Sequence, residues 1–184
     1  MEISKLEAAS RLLDTAIRLF FESADAVAVH SLAAASLNVF SDVAEHRGIS
    51  WRTYLGEDSN LSPQEVKHTL NKAWNFFKHA DRDPDEKLEF DEIDSEHLMF
   101  VAVAQCGDLR GTNCYMQAFQ LWYIAAHPEQ FSKSEPTFVD AMSLFPGLEL
   151  LPHQPRFAAV ATSLKSTADL LLPSRDKATV TPSL

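Results

Sequence analysis

The sequence predicts an all-α protein, and three observations support this. Apolar residues recur at three- and four-residue spacing along most of the chain, which is the period of an amphipathic helix. Serine followed three residues later by glutamate precedes two such stretches, at Ser4–Glu7 and Ser62–Glu65, and this spacing marks helix starts. The 184 residues include only five glycines, and no useful length of sequence alternates as a strand does. We therefore predict an antiparallel helical bundle.

The first two helices are predicted to form an antiparallel hairpin. Apolar residues give the first helix, over 5–22, a single stripe: Leu6, Ala9, Leu13, Ala16, Ile17 and Phe20. Asp25 can cap a second helix that runs to Arg47, where Gly48 supplies a left-handed stop. The short connection between them favours antiparallel packing.

Three more helices are predicted before residue 128. The third begins at Ser62 and ends near 79–81, because Pro84 disfavours helical backbone at Asp83. The fourth is expected from about 90–92 to Cys106-Gly107, and the fifth over 113–127. The other predicted elements are a short turn at 51–55 and helices near 135–145 and 155–172. We expect residues 1–127 to form the bundle, 128–172 a C-terminal helical extension packed on it, and 173–184 a flexible tail.

Composition narrows the class of function. The formal net charge of −10 opposes binding to duplex DNA, since such affinity comes from neutralising phosphates with Lys and Arg. The N-terminal residues lack the apolar core of a signal peptide, and the apolar stretch at 98–106 is too short to span a bilayer. Cys106 and Cys114 form no paired motif. We expect a cytoplasmic protein that does not bind membranes.

An acid-rich stretch offers one hypothesis for a site. Nine acids fall within residues 81–96, and residues 81–92 match the length of an EF-hand calcium loop. The carboxylate ligands would be Asp81, Asp83, Asp85 and, at the twelfth position, Glu92. Position six holds Glu86, where such a loop needs glycine for its sharp turn. Calcium is thus the one cofactor that the sequence offers, as an alternative to having none.

The preceding residues resemble a nuclease motif. In "WNFFKH", Asn75 and His79 occupy the places they hold in the Arg-Asn-x-x-x-His motif of HEPN proteins, with Trp74 in place of the arginine. The alanine-rich stretch "VHSLAAASLNVFSDVAEHRG" is similar to the central helices of HEPN bundles. The resemblance covers residues 1–127 and implies an up-down core of four to five helices that forms a homodimer.

The resemblance also implies roles for individual residues. In active HEPN enzymes the histidine and arginine act on the RNA ribose 2′-hydroxyl and phosphate. Here His79, with Asn75, would keep a proton-transfer role, and Lys78 or Lys72 would replace part of the missing positive charge. The leading hypothesis is a non-catalytic interaction or regulatory module with a degenerate site, whose partner is a second copy, another protein or RNA. A metal-independent RNase is the alternative.

A simpler interpretation assigns these residues structural roles only. Asn75 and His79 would cap or bridge neighbouring helices, and the acids would form a solvated connector. His30, in an apolar segment, is expected to be a hydrogen-bonded core residue, because no recognised metal-ligand spacing includes it. Phe21 and Trp74 fall partly outside the apolar stripes and are candidates for a homodimer surface.

Overall fold

The structure is a computed structural model that describes residues 1–49, 62–79, 81 and 83–152. Six α-helices lie in these ranges: α1 Lys5–Phe21, α2 Ala26–His46, α3 Pro63–Lys78, α4 Ile93–Arg110, α5 Cys114–Ala126 and α6 Pro136–Leu144. Two short 3₁₀ turns follow α5 and α6, at Pro128–Gln130 and Leu148–Leu150. These ranges contain no strand, so the all-α prediction is confirmed. The turn predicted at 51–55, the helix near 155–172 and the tail 173–184 lie outside the described residues.

The predicted capping signals place the first three helices. Ser4 accepts a hydrogen bond from the Glu7 amide at 3.2 Å, and Asp25 accepts one from the Ala28 amide at 3.0 Å. Gly48 follows α2 with a φ of +75°, a backbone conformation that glycine adopts without steric penalty. At α3 the capping box is complete, since Ser62 and Glu65 each accept from the other's backbone amide.

The prediction for α4 was wrong by one turn at its C-terminal end. The helix passes through Gly107 and stops at Gly111, whose φ is +88° and whose amide donates to the carbonyls of Cys106 and Gly107. A glycine inside the helix was therefore mistaken for the glycine that ends it. At the other end, Asp91 accepts from the Ile93 amide at 3.0 Å, which helps to fix the start of α4.

Helices α1, α2, α4 and α5 enclose the core. Its largest fully buried apolar side chains are Leu13, Ile17, Leu37, Phe40, Leu98, Met99, Met116, Phe119 and Trp122. Phe21 belongs to this core as well, because its side chain is buried and its ring lies edge-on to Trp122 at 5.6 Å between centroids. Phe21 therefore does not extend a homodimer surface, contrary to the expectation from its position outside the stripe.

Helix α3 lies at the edge of this core and packs on α2. Of its apolar side chains, Ala73 is buried, whereas the larger ones are only half-buried: Val66, Leu70, Trp74, Phe76 and Phe77. The residues that the sequence selected as a site therefore lie on a peripheral helix and on the chain that follows it.

Helix α2 has a composition that also occurs in membrane-spanning helices. It is the one helix in the described ranges that is long and apolar enough to cross a bilayer by these two criteria, and 44% of its most apolar window is buried against other helices. Core helices of soluble proteins meet the same criteria, so this is weak evidence for a membrane span.

Candidate functional sites: the α2–α3 groove, the acidic loop and a buried polar cluster

A groove of about 360 Å³ runs between α2 and α3. Six side chains line it, four of them carboxamides: Asn38, Gln64, Lys67, His68, Asn71 and Asn75. Asn75, one of the three residues predicted to act in a degenerate site, thus faces this groove. Carboxamides offer a donor and an acceptor together, which suits them to recognise groups that also carry both.

Two asparagines form a fixed floor for the groove. Asn38 donates from Nδ2 to Asn71 Oδ1 at 2.7 Å and to the Ala34 carbonyl at 2.8 Å. Asn71 in turn donates to the Lys67 carbonyl at 2.8 Å. By contrast, the side chains of the other lining residues Gln64, His68 and Asn75 make no hydrogen bond to any described residue. The groove therefore combines a rigid floor with unengaged polar groups.

The other two residues of the predicted degenerate site point to local partners. Lys78 Nζ lies 5.3 Å from the centroid of the Trp74 ring, a cation–π contact. His79 Nδ1 lies 3.7 Å from Asp81 Oδ1, which is beyond an ordinary hydrogen bond. Neither Lys78 nor His79 lines the groove that Asn75 faces. The three predicted residues are thus close in sequence without facing one cavity.

The acidic stretch forms an exposed connection between α3 and α4. Its four predicted calcium ligands all have exposed side chains: Asp81, Asp83, Asp85 and Glu92. Within the described ranges, no three His, Cys, Asp or Glu side chains are grouped closely enough to hold a metal ion. An EF-hand loop makes a left-handed turn at position six, which Glu86 occupies here. Glu86 does not have this conformation, because Ser23 is the one non-glycine residue with positive φ in the described ranges. Calcium binding here stays a prediction.

Two acids within this connection interact with each other. The Glu86 amide donates to the Asp83 carbonyl at 3.0 Å, which closes a turn at residues 83–86. A side-chain hydrogen bond with Asp83 and the charge of that residue raise the pKa of Glu86, and nearby Lys72 opposes this effect. Carboxyl groups that approach each other in this way favour a shared proton, or a cation between them.

A cluster of polar side chains, three of them buried, lies where the start of α4 meets the end of α5. Glu96 is fully buried and accepts a hydrogen bond from His127 Nε2 at 2.9 Å. His97 Nδ1 lies 2.6 Å from the hydroxyl of Tyr123, which donates to Gln130 Oε1 at 3.2 Å. We call these five residues the Glu96–Gln130 cluster. It ties α4, α5 and the Pro128–Gln130 turn together.

Burial sets the protonation states of two members of this cluster. Burial, and then the neighbouring His127, lower the pKa of His97, although Glu96, Asp94 and Asp91 oppose this change. The pKa of Tyr123 is raised, mainly by burial and secondly by the charge of Glu96. His97 and Tyr123 are therefore both neutral near pH 7.

His30 is a core residue, as its apolar surroundings suggested. Its Nδ1 lies 3.1 Å from the Ser95 hydroxyl, and both residues are buried. The ring contacts Phe77 and Phe90 edge-on, and Nε2 has no hydrogen-bond partner among the described residues. Burial lowers the pKa of His30, so the ring is neutral near pH 7.

A charged groove of about 430 Å³ lies between α1 and the connection from α4 to α5. Arg11 pairs with Glu7 at 2.5 Å, and Arg110 donates to the Leu6 carbonyl at 3.2 Å. Asp14 accepts from Asn113 at 2.9 Å and also pairs with an arginine of α1. Because its charged groups already have partners, this groove is a weaker candidate than the one between α2 and α3.

Sequence reasoning missed the Glu96–Gln130 cluster. Glu96 and His97 are adjacent near the start of α4, but their partners His127 and Tyr123 are about thirty residues away in the chain. Tyr123 and His127 are one helical turn apart, so both lie on one face of the helix end. Polar residues on the otherwise apolar, buried face of a helix were the signal in the sequence that could have indicated this cluster.

The comparisons with known proteins leave the family open. No protein-family model matches this sequence, and no curated protein or solved structure matches it either. The HEPN resemblance therefore rests on the pattern of residues 1–127 and stays a prediction.

Proposed function

We propose that this chain is a non-catalytic interaction module with an antiparallel, HEPN-like helical core, which binds a protein partner through α3 and the α2–α3 groove. One observation carries the proposal. Gln64, His68 and Asn75 present unengaged polar groups around a groove whose floor is fixed by the Asn38–Asn71 hydrogen bond. A rigid floor lowers the entropy lost on binding, which favours recognition of an extended segment.

The environment of α3 supports a polypeptide as the ligand. The backbone of an extended peptide carries the alternating donors and acceptors that carboxamides pair with. Leu70 and Trp74, which are half-buried apolar side chains of α3, are adjacent in sequence to Asn71 and Asn75, so α3 offers partly exposed apolar surface as well as polar groups.

The charges of α3 favour an acidic segment. The helix carries Lys67, Lys72 and Lys78 against the single acid Glu65, in a protein whose net charge is −10. Lys67 has one weak ionic contact, 4.0 Å from the exposed Asp42. Such exposed cations speed encounter with an acidic partner more than they strengthen the complex.

The same geometry favours binding over RNA cleavage. Cleavage needs a base and a cation at one phosphate, with the cation held where charge develops. Asn75 faces the groove, Lys78 lies over Trp74, and His79 is next to Asp81. The acids that follow α3 would repel a phosphate at His79.

Site-specific photo-crosslinking in cells tests this proposal. A benzoylphenylalanine at position 75 is expected to give one discrete adduct, identified by mass spectrometry, with a protein that carries an acidic segment. The double change Lys67→Glu and Lys72→Glu should weaken the adduct, because it slows encounter with an acidic partner and places like charges next to it. The same probe at the exposed Lys133, which neither belongs to α3 nor lines the groove, is the matched control. An adduct of two copies of this chain would make the partner a homodimer subunit, and equal adducts from both positions would contradict the proposal.

An RNA cleavage assay in EDTA tests the alternative. A fluorophore-labelled single-stranded RNA should remain intact with the wild-type protein and with His79→Ala. Cleavage that is lost in His79→Ala and retained in Asp83→Ala would make the protein a metal-independent RNase. That result would also assign His79 the proton-transfer role that the HEPN resemblance implies.

A further inference from the structure

We propose that the Glu96–Gln130 cluster is a proton-sensitive lock, which holds the Pro128–Gln130 turn and the chain leading to α6 against the ends of α4 and α5. None of the five residues lies on α3 or lines the α2–α3 groove, so the proposed lock does not depend on the proposed function of the groove.

Two kinds of contact fasten this segment. Gln130 accepts from the Tyr123 hydroxyl at 3.2 Å, and the Phe131 ring lies edge-on to Phe100 at 5.5 Å between centroids. Phe100 itself stacks on Tyr123 at 4.2 Å. Tyr123 therefore takes part in both the polar and the aromatic contacts that hold the segment.

The hydrogen bonds define where an added proton goes. Because the Tyr123 hydroxyl donates to Gln130, the 2.6 Å contact with His97 is an Nδ1–H that donates to the Tyr123 oxygen. Neutral His97 then has its lone pair on Nε2. In acid, a proton from solvent binds at Nε2, and His97 becomes a cation. Gln130 is exposed but does not titrate. Among the titratable members Glu96, Tyr123 and His127 are buried and His97 is half-buried, so solvent reaches His97 most readily.

The groups around His97 make this cation unfavourable. His127 lies 5.4 Å away between ring centroids, and a proton on both rings would place two positive charges side by side. On α4 and just before it, Glu96, Asp94 and Asp91 oppose this by attracting the cation. On α5 and the turn, Tyr123 and Gln130 are neutral, and Glu129 is the nearby acid. Burial and His127 outweigh the acids, so the pKa of His97 is lowered in the folded protein.

The sign of the pH dependence follows from this shift. A histidine whose folded pKa is lower than its unfolded value binds fewer protons when folded. Its contribution to stability is complete above the ordinary pKa of 6.5 and is lost as the pH falls below that value. The lock is closed at neutral pH and opens in acid.

Hydrogen exchange tests the lock with an internal reference. Backbone protection of residues 128–144 should fall by about tenfold for each unit by which the pKa of His97 is lowered, between about pH 7.5 and about pH 5.0. After correction for intrinsic exchange, the protection of α2 should not fall in parallel. His97→Gln should remove this difference, because glutamine cannot take up the proton. His68→Gln, the same change at an exposed residue of α3, should retain it.

Two further measurements test the lock if His97→Gln does not fold. Tyr123→Phe keeps the ring and removes the hydroxyl, so residues 128–144 should be weakly protected at both pH values. Imidazole ¹⁵N spectra of the wild type should show the proton of neutral His97 on Nδ1. The lock would be overturned by any one of three results. These are a pH-dependent difference that survives in Tyr123→Phe, a parallel loss of protection in α2, and a proton on Nε2 of neutral His97.

Discussion

The two polar regions of this molecule differ in how their charges are arranged. Between α3 and α4, seven acids occur within residues 81–92, and those predicted as calcium ligands are exposed to solvent. At the Glu96–Gln130 cluster, one buried carboxylate meets two histidines, one on α4 and one directly after α5, within hydrogen-bonding or ring-contact distance. The first region is conspicuous in the sequence, whereas the second becomes visible only after the helices have packed.

This difference shows that the density of charged residues in a sequence is a poor guide to how much those residues contribute to stability. Exposed charges are solvated in the folded and unfolded states alike, so each contributes little to stability. A buried carboxylate must be compensated by hydrogen bonds, so removal of its partner or of the group itself has a large effect. Substitutions in the two regions can therefore be ranked in advance.

The largest expected effect is that of Glu96→Ala. This change leaves His127 buried without its acceptor and opens a cavity, so the free energy of unfolding should fall by about 3–5 kcal/mol. Glu129→Ala, an exposed acid in the adjacent turn, is the matched control and should change it by no more than about 0.5 kcal/mol. Urea denaturation at neutral pH measures both. Equal effects of the two substitutions would show that the buried pair contributes nothing beyond a surface charge.

A pair of leucines compares the core with α3 directly. Leu98 in α4 is fully buried, so Leu98→Ala should lower the free energy of unfolding by about 2–5 kcal/mol. Leu70 in α3 is half-buried, so Leu70→Ala removes less buried apolar surface and should have roughly half that effect. Urea denaturation measures the difference. If Leu70→Ala were as destabilising as Leu98→Ala, α3 would be part of the core and would be a poor docking surface.

The fold was predicted well where a local signal fixes it. The Ser62–Glu65 capping box and Gly48 act within one turn of the chain, and both were correct. The end of α4 was missed because Gly107 and Gly111 are both possible stops, and only packing selects between them. Phe21 was wrongly expected at a surface for a related reason. It lies outside the apolar stripe of α1, but packing against Trp122 of α5 buries it.

The candidate sites were predictable only to the extent that they are contiguous in sequence. Asn75 was selected from a motif and does face a groove, but the other side of that groove comes from Asn38 in α2. His30 was expected to be hydrogen-bonded, yet its partner Ser95 is sixty-five residues away. Spacing within one helix cannot reveal such partners, because they depend on how helices pack against each other.

The smallest expected effect concerns calcium at the acidic loop. Under the proposed function, the melting temperature should be the same in EDTA and in millimolar calcium, because in the described ranges no three potential ligands are grouped to hold an ion. Calcium bound to the folded state at about a hundred times its dissociation constant would instead add about 2.7 kcal/mol of stability, a rise of several degrees. Asp83→Ala distinguishes a specific site from general screening of the acids. A calcium-specific rise that disappears in Asp83→Ala would make residues 81–92 a binding loop. The acidic loop, like the buried cluster, would then contribute to stability through groups that folding brings together.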